Sequence, residues 1–157
     1  MNESCCSEGA QIGSVETTYK SYIGIKLISA IPSTKDGQEG YTVKYPDGYI
    51  SWSPKEQFES AYLPLSSDEG KICIEDLRSM TARVDAENLA DGKTTLVKRE
   101  LVTGFVQYET SSCVDPKNYD PVLGADIAVK RMDTGLWFAL GFVLQWAKYG
   151  LKKVTKV

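Results

Sequence analysis

The stretch from Asp120 to Ala147, DPVLGADIAVKRMDTGLWFALGFVLQWA, decides how the rest of the chain is read. Asp120 has the acceptor side chain of a helix N-cap, and Pro121 suits the first helical position, where a missing N–H costs nothing. Apolar residues recur at Leu123, Ile127, Leu136, Leu140, Val143, Leu144 and Ala147, so the spacing predicts a long helix. Gly135 lies inside it at a penalty of about 1 kcal/mol relative to alanine, which allows a break into two helices there. The most apolar part, Leu136 to Ala147, falls far short of the ~20 residues that span a bilayer and is interrupted by Gly141 and Gln145. It reads as a buried helix. Trp137, Phe138, Phe142 and Trp146 nevertheless make it apolar nearly all round, and one sheet cannot cover every ring. A homo-oligomer with this helix in its interface is the expectation.

Upstream lies what such a helix would cover. Met80 to Val84, Thr94 to Val102 and Phe105 to Ser111 read as strands, with turns at Asp91-Gly92 and Thr103-Gly104. Three antiparallel strands under one helix make an α+β layer pair. A smaller unit precedes them. Ile23 to Ser29 alternates and is β-branched, which suits a strand ended by Pro32 and Asp36-Gly37. Gly40 to Tyr45 and Tyr49 to Trp52 flank Pro46-Asp47-Gly48 and predict a hairpin. Ser53-Pro54-Lys55-Glu56 reads as a capping box that starts a short helix reaching about Ala61, with Pro64 beyond it. The expected organisation is an arm over 1–18, a β-hairpin and helix unit over 19–65, a linker over 66–73, and an antiparallel sheet with its C-terminal helix over 74–157.

Composition narrows the chemistry. The chain has 157 residues, 42% of them hydrophobic and 25% charged, and 18 basic against 21 acidic residues leave a net charge of −3. That balance supplies no overall drive toward nucleic acid or anionic lipid. There is no histidine, which removes Ser-His-Asp and Cys-His nucleophilic machinery, HExxH zinc proteases and histidine-bearing zinc fingers. Cys5, Cys6, Cys73 and Cys113 have no C-x-x-C spacing, so no zinc site is expected, and Cys113 reads as a small packed side chain. Gly92-Lys93-Thr94 looks like the end of a phosphate-binding loop, but Glu87 stands where that motif needs glycine. Asp115, Asp120 and Asp126 with Glu109 match no metal-loop spacing. No basic and apolar leader opens the chain, so an intracellular protein is expected.

Gly104 to Asp120, with its Ser112-Cys113-Val114-Asp115-Pro116-Lys117-Asn118-Tyr119-Asp120 run, followed by Gly124-Ala125-Asp126-Ile127 and Leu136 to Gln145, resembles the tailed-phage family named after gene products forty-nine and sixty-six. The likeness covers roughly Thr94 to Gly150. Two departures stand out: Leu140 replaces a glutamate that many members carry, and an acidic-Asn pair common in members is absent near Lys130-Arg131. Gly40 to Tyr62, with Tyr45-Pro46-Asp47-Gly48-Tyr49 and Ser51-Trp52-Ser53-Pro54-Lys55, resembles an N-terminal accessory module. That module is also fused to the second Thoeris anti-defence family, whose proteins sequester nucleotide immune signals. Together the resemblances imply a phage accessory protein working in the cytoplasm of a host bacterium.

These readings favour binding over turnover, so no enzyme activity, cofactor or metal is expected. The lead expectation is sequestration of a nucleotide second messenger, a cyclic oligonucleotide or a cyclic ADP-ribose type, without cleavage. Phe105, Tyr108 and Tyr119 can stack on a base, Arg99, Lys130 and Arg131 can meet phosphate, and Asn118 can read a base edge. Each has a structural alternative. Phe105 and Trp137 suit a core, Asn118 and Asp115 a turn, Arg99 a solvated strand face, and Lys130 with Arg131 a helix flank. Tyr45, Tyr49 and Trp52 read as the core of the first unit or as an exposed row that grips a partner. The second expectation is therefore a module that binds a host protein through the aromatic hairpin or the C-terminal helix. A third is a metal-dependent hydrolase of the same nucleotides.

Overall fold

The computed structural model describes residues 19–67 and 70–152, so the arm expected over 1–18, with Cys5 and Cys6, lies outside the described residues. Two three-stranded antiparallel sheets follow each other along the chain, in the orders β1-β2-β3 and β4-β5-β6. Each carries a helix on one face, which makes the fold α+β.

In the first unit β1 (Ser29–Lys35), β2 (Gln38–Lys44) and β3 (Ile50–Pro54) form the sheet, and α1 (Lys55–Ala61) packs on it. The hairpin forms where the turn residues demand it. Gly48 has φ 87°, its N–H donates to Tyr45 O (2.9 Å), and Tyr45 N–H donates to Tyr49 O (2.9 Å). The strand expected over Ile23–Ser29 is displaced to Ser29–Lys35, with Asp36-Gly37 as its turn. Pro32 sits inside β1 instead of ending it, because β1 is an edge strand that loses no inner ladder bond to a missing N–H. The earlier segment is drawn to the other unit, where Leu27 N–H donates to Ala147 O (3.4 Å), one of the free carbonyls at a helix end. The capping box at Ser53 does not form: β3 runs through Pro54, which occupies the cap position without a side-chain bond, and Ser53 Oγ donates to Pro54 O instead. Buried Val43 and Phe58 form the core of this unit, with Tyr41 stacked on Phe58 (4.2 Å) and Phe58 on Tyr62 (4.9 Å).

Directly after the linker expected over 66–73 stands a helix that the sequence reading missed, α2 (Ile74–Met80), and Ser66 at the start of that linker is tied to it. Cys73 occupies the N-cap and is outside the usual Ser/Thr/Asn/Asp set. Its N–H donates to Asp76 Oδ2 (2.7 Å), and Ser66 N–H donates to Asp76 Oδ1 (2.7 Å). Burial by itself would raise the Asp76 carboxyl, but these two N–H donors outweigh it and hold the group below the ordinary carboxylate value. The first strand of the second sheet accordingly begins after Met80.

That sheet comprises β4 (Thr81–Asn88), β5 (Thr94–Leu101) and β6 (Val106–Ser112), joined by turns with positive φ at Gly92 and Gly104. From Thr95 onward central β5 alternates, placing Thr95, Val97, Arg99 and Leu101 under the long helix α3 (Pro121–Tyr149). Asp120 caps α3 as expected, accepting from Val122 and Leu123 N–H. Gly135 does not interrupt it. The side buried against the sheet steps by four residues through Gly124, Ala128, Met132 and Leu136. At Gly124 helix and sheet approach too closely for a side chain: a Cβ there would stand 2.6 Å from Thr95 Oγ1. Val97, Ala128 and Met132 form one apolar cluster, and Leu77, Leu101 and Leu136 form a second under α2. With 29 residues, α3 is about 43 Å long, whereas an eight-residue strand spans about 27 Å. The helix therefore outruns its sheet and carries its last aromatics beyond it.

Candidate functional site

Strand parity and helix pitch distribute the seven expected site residues over separate places. Arg99 is 2% exposed, neither solvated nor available to a ligand. It lies on the helix-facing side of β5, where its Nη1 donates to Asp133 Oδ1 (2.5 Å) and its Nε to Gln107 Oε1 (3.0 Å). Its Nη2 is buried with no protein partner among the described residues. Such a pair joins sheet to helix and spends the positive charge that a phosphate would need. Tyr119 is engaged at the opposite end of the sheet, its hydroxyl sharing hydrogen bonds with Thr95 Oγ1 (2.7 Å) and Asn88 Oδ1 (2.8 Å). Neighbouring Asn118 is exposed and closes a 3-10 turn (Pro116–Asn118) held by Asp115, which accepts from Lys117 N–H.

Arg131 projects over the β6 edge, donating from Nη1 to Thr110 O (3.0 Å) with Glu109 Oε1 at 3.7 Å. Lys130 is exposed on α3. Phe105 and Tyr108 are each 63% exposed, so Phe105 is no core residue, and half-exposed Trp137 is not one either. Tyr108 faces away from α3, directly opposite Lys98 on β5, which is in turn opposite Asp85 on β4. This cross-strand row floors a shallow cavity of about 290 Å³ together with Ala86, Glu87 and Leu96. Alternation along β5 carried the signal for Lys98, since a residue between buried Val97 and Arg99 must point outward. Asp85 is already paired with Arg83 (2.8 Å). Two carboxylates and one lysine give this cavity no excess of positive charge for an anion.

A third surface lies on the first unit. α1 covers the side bearing Tyr41 and Val43, and the opposite side of the sheet holds the directly paired row Ile31–Thr42–Trp52 with Ile50 beyond it. The Trp52 indole lies flat across β2 because position 40 is glycine: a Cβ there would meet Trp52 Cζ2 at 2.6 Å. Lys35 Nζ stands 6.0 Å from that ring. Ile31 and Ile50 are well exposed. Trp52 is thus part of an open face and Tyr49 is exposed, so of the small core expected from Tyr45, Tyr49 and Trp52 only half-buried Tyr45 lies with Tyr41, Val43, Phe58 and Tyr62, its hydroxyl against that of Tyr62.

Among the described residues no group of three acidic or cysteine side chains could hold a metal ion, and no helix is long and apolar enough to cross a membrane. Asp115 and Asp120 serve the turn and the cap. Comparison with curated proteins and with solved structures finds no match. A family model does match, over residues 68–147, which reaches upstream of the resemblance to include α2 and β4 and leaves the first unit outside. The helix-on-sheet unit with its Asp120 cap, Gly124 contact and buried Arg99 is what the match spans, and the chain belongs to the phage protein (N4 Gp49/phage Sf6 gene 66) family.

Proposed function

We propose that this phage protein acts in the cytoplasm of the infected bacterium by binding and holding a component of host defence, without converting it. Its ligand in this reading is a host protein segment with apolar residues and acidic flanks, laid on the open face of the first sheet. The observation that carries the reading is the uncovered row Ile31–Thr42–Trp52, on a face where the charged side chains among the described strand residues are Lys35 and Lys44. An aromatic and aliphatic strip rimmed by one sign of charge complements an acidic-apolar partner and disfavours a basic one. The test is capture from infected cells followed by calorimetry with the purified partner. Ile31→Glu combined with Ile50→Glu should weaken binding about 30-fold or more while leaving the fold intact. Equal binding by this variant would refute the assignment.

Sequestration of a nucleotide second messenger is the second reading, and one observation favours it: the exposed Tyr108 ring stands beside Lys98 over the cavity of about 290 Å³. A ring to stack on and a cation for phosphate are the minimum such a ligand needs, and here Lys98 must serve a phosphate against the carboxylates of Asp85 and Glu87 in the same lining. Incubation with cyclic di- and trinucleotides and cyclic ADP-ribose isomers, followed by heat release, tests it. Intact ligand recovered from the wild type but not from Tyr108→Ala supports sequestration. Altered ligand would mean an enzyme, and no binding across the panel rejects the reading.

A further inference from the structure

α3 carries a second stripe that, beyond the Arg131 contact with Thr110 O at the β6 edge, neither its own sheet nor the first unit covers. Arg131, Gly135, Phe138, Phe142, Gln145 and Tyr149 follow one another at spacings of four and three residues, the repeat of a helix–helix seam, and all are exposed. Phe138 is 83%, Phe142 63% and Tyr149 69% exposed. Phe142, in the middle of this aromatic ridge, is braced by the Trp146 ring beside it (6.1 Å between centroids). From these exposures the three rings present about 400 Å² per chain, taking roughly 200 Å² for each full ring. Counting the stems of Arg131 and Gln145 brings this to about 600 Å², or about 1,200 Å² for two chains, which reaches the range of stable interfaces.

We infer that this ridge is the interface of a homodimer, in which two α3 helices pack antiparallel about a two-fold axis at the level of Leu140. That axis sets Phe138 of each chain against the other copy's Phe142, gives Gln145 the open surface at Gly135, and brings Arg131 over the other copy's Tyr149. The last contact is a cation–π pair. A parallel arrangement would instead oppose the two Arg131 side chains, with like charges destabilising the seam. Two-fold symmetry is the usual solution when one surface is complementary to itself. The docking uses neither the open face of the first sheet nor the cavity at Tyr108, so it stands apart from either functional reading.

Sedimentation equilibrium of the full chain tests it. At micromolar concentration the wild type should run at twice its 17.3 kDa mass. Phe138→Glu should raise the dimer dissociation constant about 30-fold or more, with unchanged far-UV circular dichroism because the residue is exposed. Arg131→Glu, which keeps the aromatic rings, should weaken the dimer less than Phe138→Glu. A wild-type monomer at that concentration overturns the proposal and leaves the ridge to a foreign chain. A dimer unaffected by both Phe138→Glu and Phe142→Glu overturns it equally, by placing the interface elsewhere.

Discussion

Replacing Asp133 by alanine should be among the most damaging single changes in the second unit, although its side chain is 32% exposed. The damage comes from what is left behind: Arg99 is 2% exposed and would keep its charge beneath α3 with Gln107 as its remaining side-chain partner among the described residues. Breaking a buried ion pair from one side costs about 3–5 kcal/mol, and solvent access to Asp133 places this case near about 3 kcal/mol. For a folding unit of this size, about 4–8 °C per kcal/mol converts that to a loss of about 15 °C in Tm. Arg99→Met should behave oppositely. It removes the buried charge and fills its volume with apolar atoms, while the orphaned carboxylate can turn to water, so stability should stay within about 1 kcal/mol of wild type or rise. Urea denaturation followed by far-UV circular dichroism, with Trp137 and Trp146 fluorescence as a second probe, measures both. If Asp133→Ala costs less than about 1 kcal/mol, or Arg99→Met costs as much as Asp133→Ala, then the guanidinium is not desolvated and the account of Arg99 as a structural cation fails. A role in phosphate binding would give a different pattern, lost ligand affinity for Arg99→Met with no gain in stability.

Gly124→Ala should destabilise by about 1–3 kcal/mol despite alanine's better helix propensity, because its Cβ would overlap Thr95 Oγ1. Gly141→Ala, with no described residue within 4 Å of its Cβ, should instead stabilise by about 0.5–1 kcal/mol in the same thermal melts. Asp76 has a carboxyl held below its ordinary value by the N–H groups of Ser66 and Cys73. It therefore stabilises the fold above the unfolded-state value of about 4, and its contribution fades as pH falls from there through the lower folded-state value. Asp76→Ala should remove about 1–3 kcal/mol at neutral pH and flatten this acid limb, read by denaturation at several pH values. Tyr119→Phe should cost about 1–2 kcal/mol through the loss of its bonds to Thr95 and Asn88, and leave any ligand affinity unchanged.

The local part of this architecture was legible in the sequence because its signals are local. An Asp-Pro cap, a period near 3.6 and Gly-bearing turns act through neighbouring backbone, so α3, β5, β6 and the hairpin around Gly48 appear where the residues alone place them. The family was legible too, since the Ser-Cys-Val-Asp-Pro run and the residues after it are contiguous. Helix α2 was hidden because its start depends on Cys73 and on an Asp76 carboxylate that also reaches back ten residues to Ser66. β1 shifted because the segment before it contacts Ala147, more than a hundred residues away in sequence. The site suffered most. Residue type marked Arg99, Tyr108, Tyr119 and Arg131 as chemically able, but register alone determines that Arg99 turns under the helix toward Asp133 while Tyr108 turns outward beside Lys98. Side chains that alternate across a sheet separate neighbours in sequence by its full thickness, so residue identity set the chemistry available and tertiary pairing decided which groups remain free to use it.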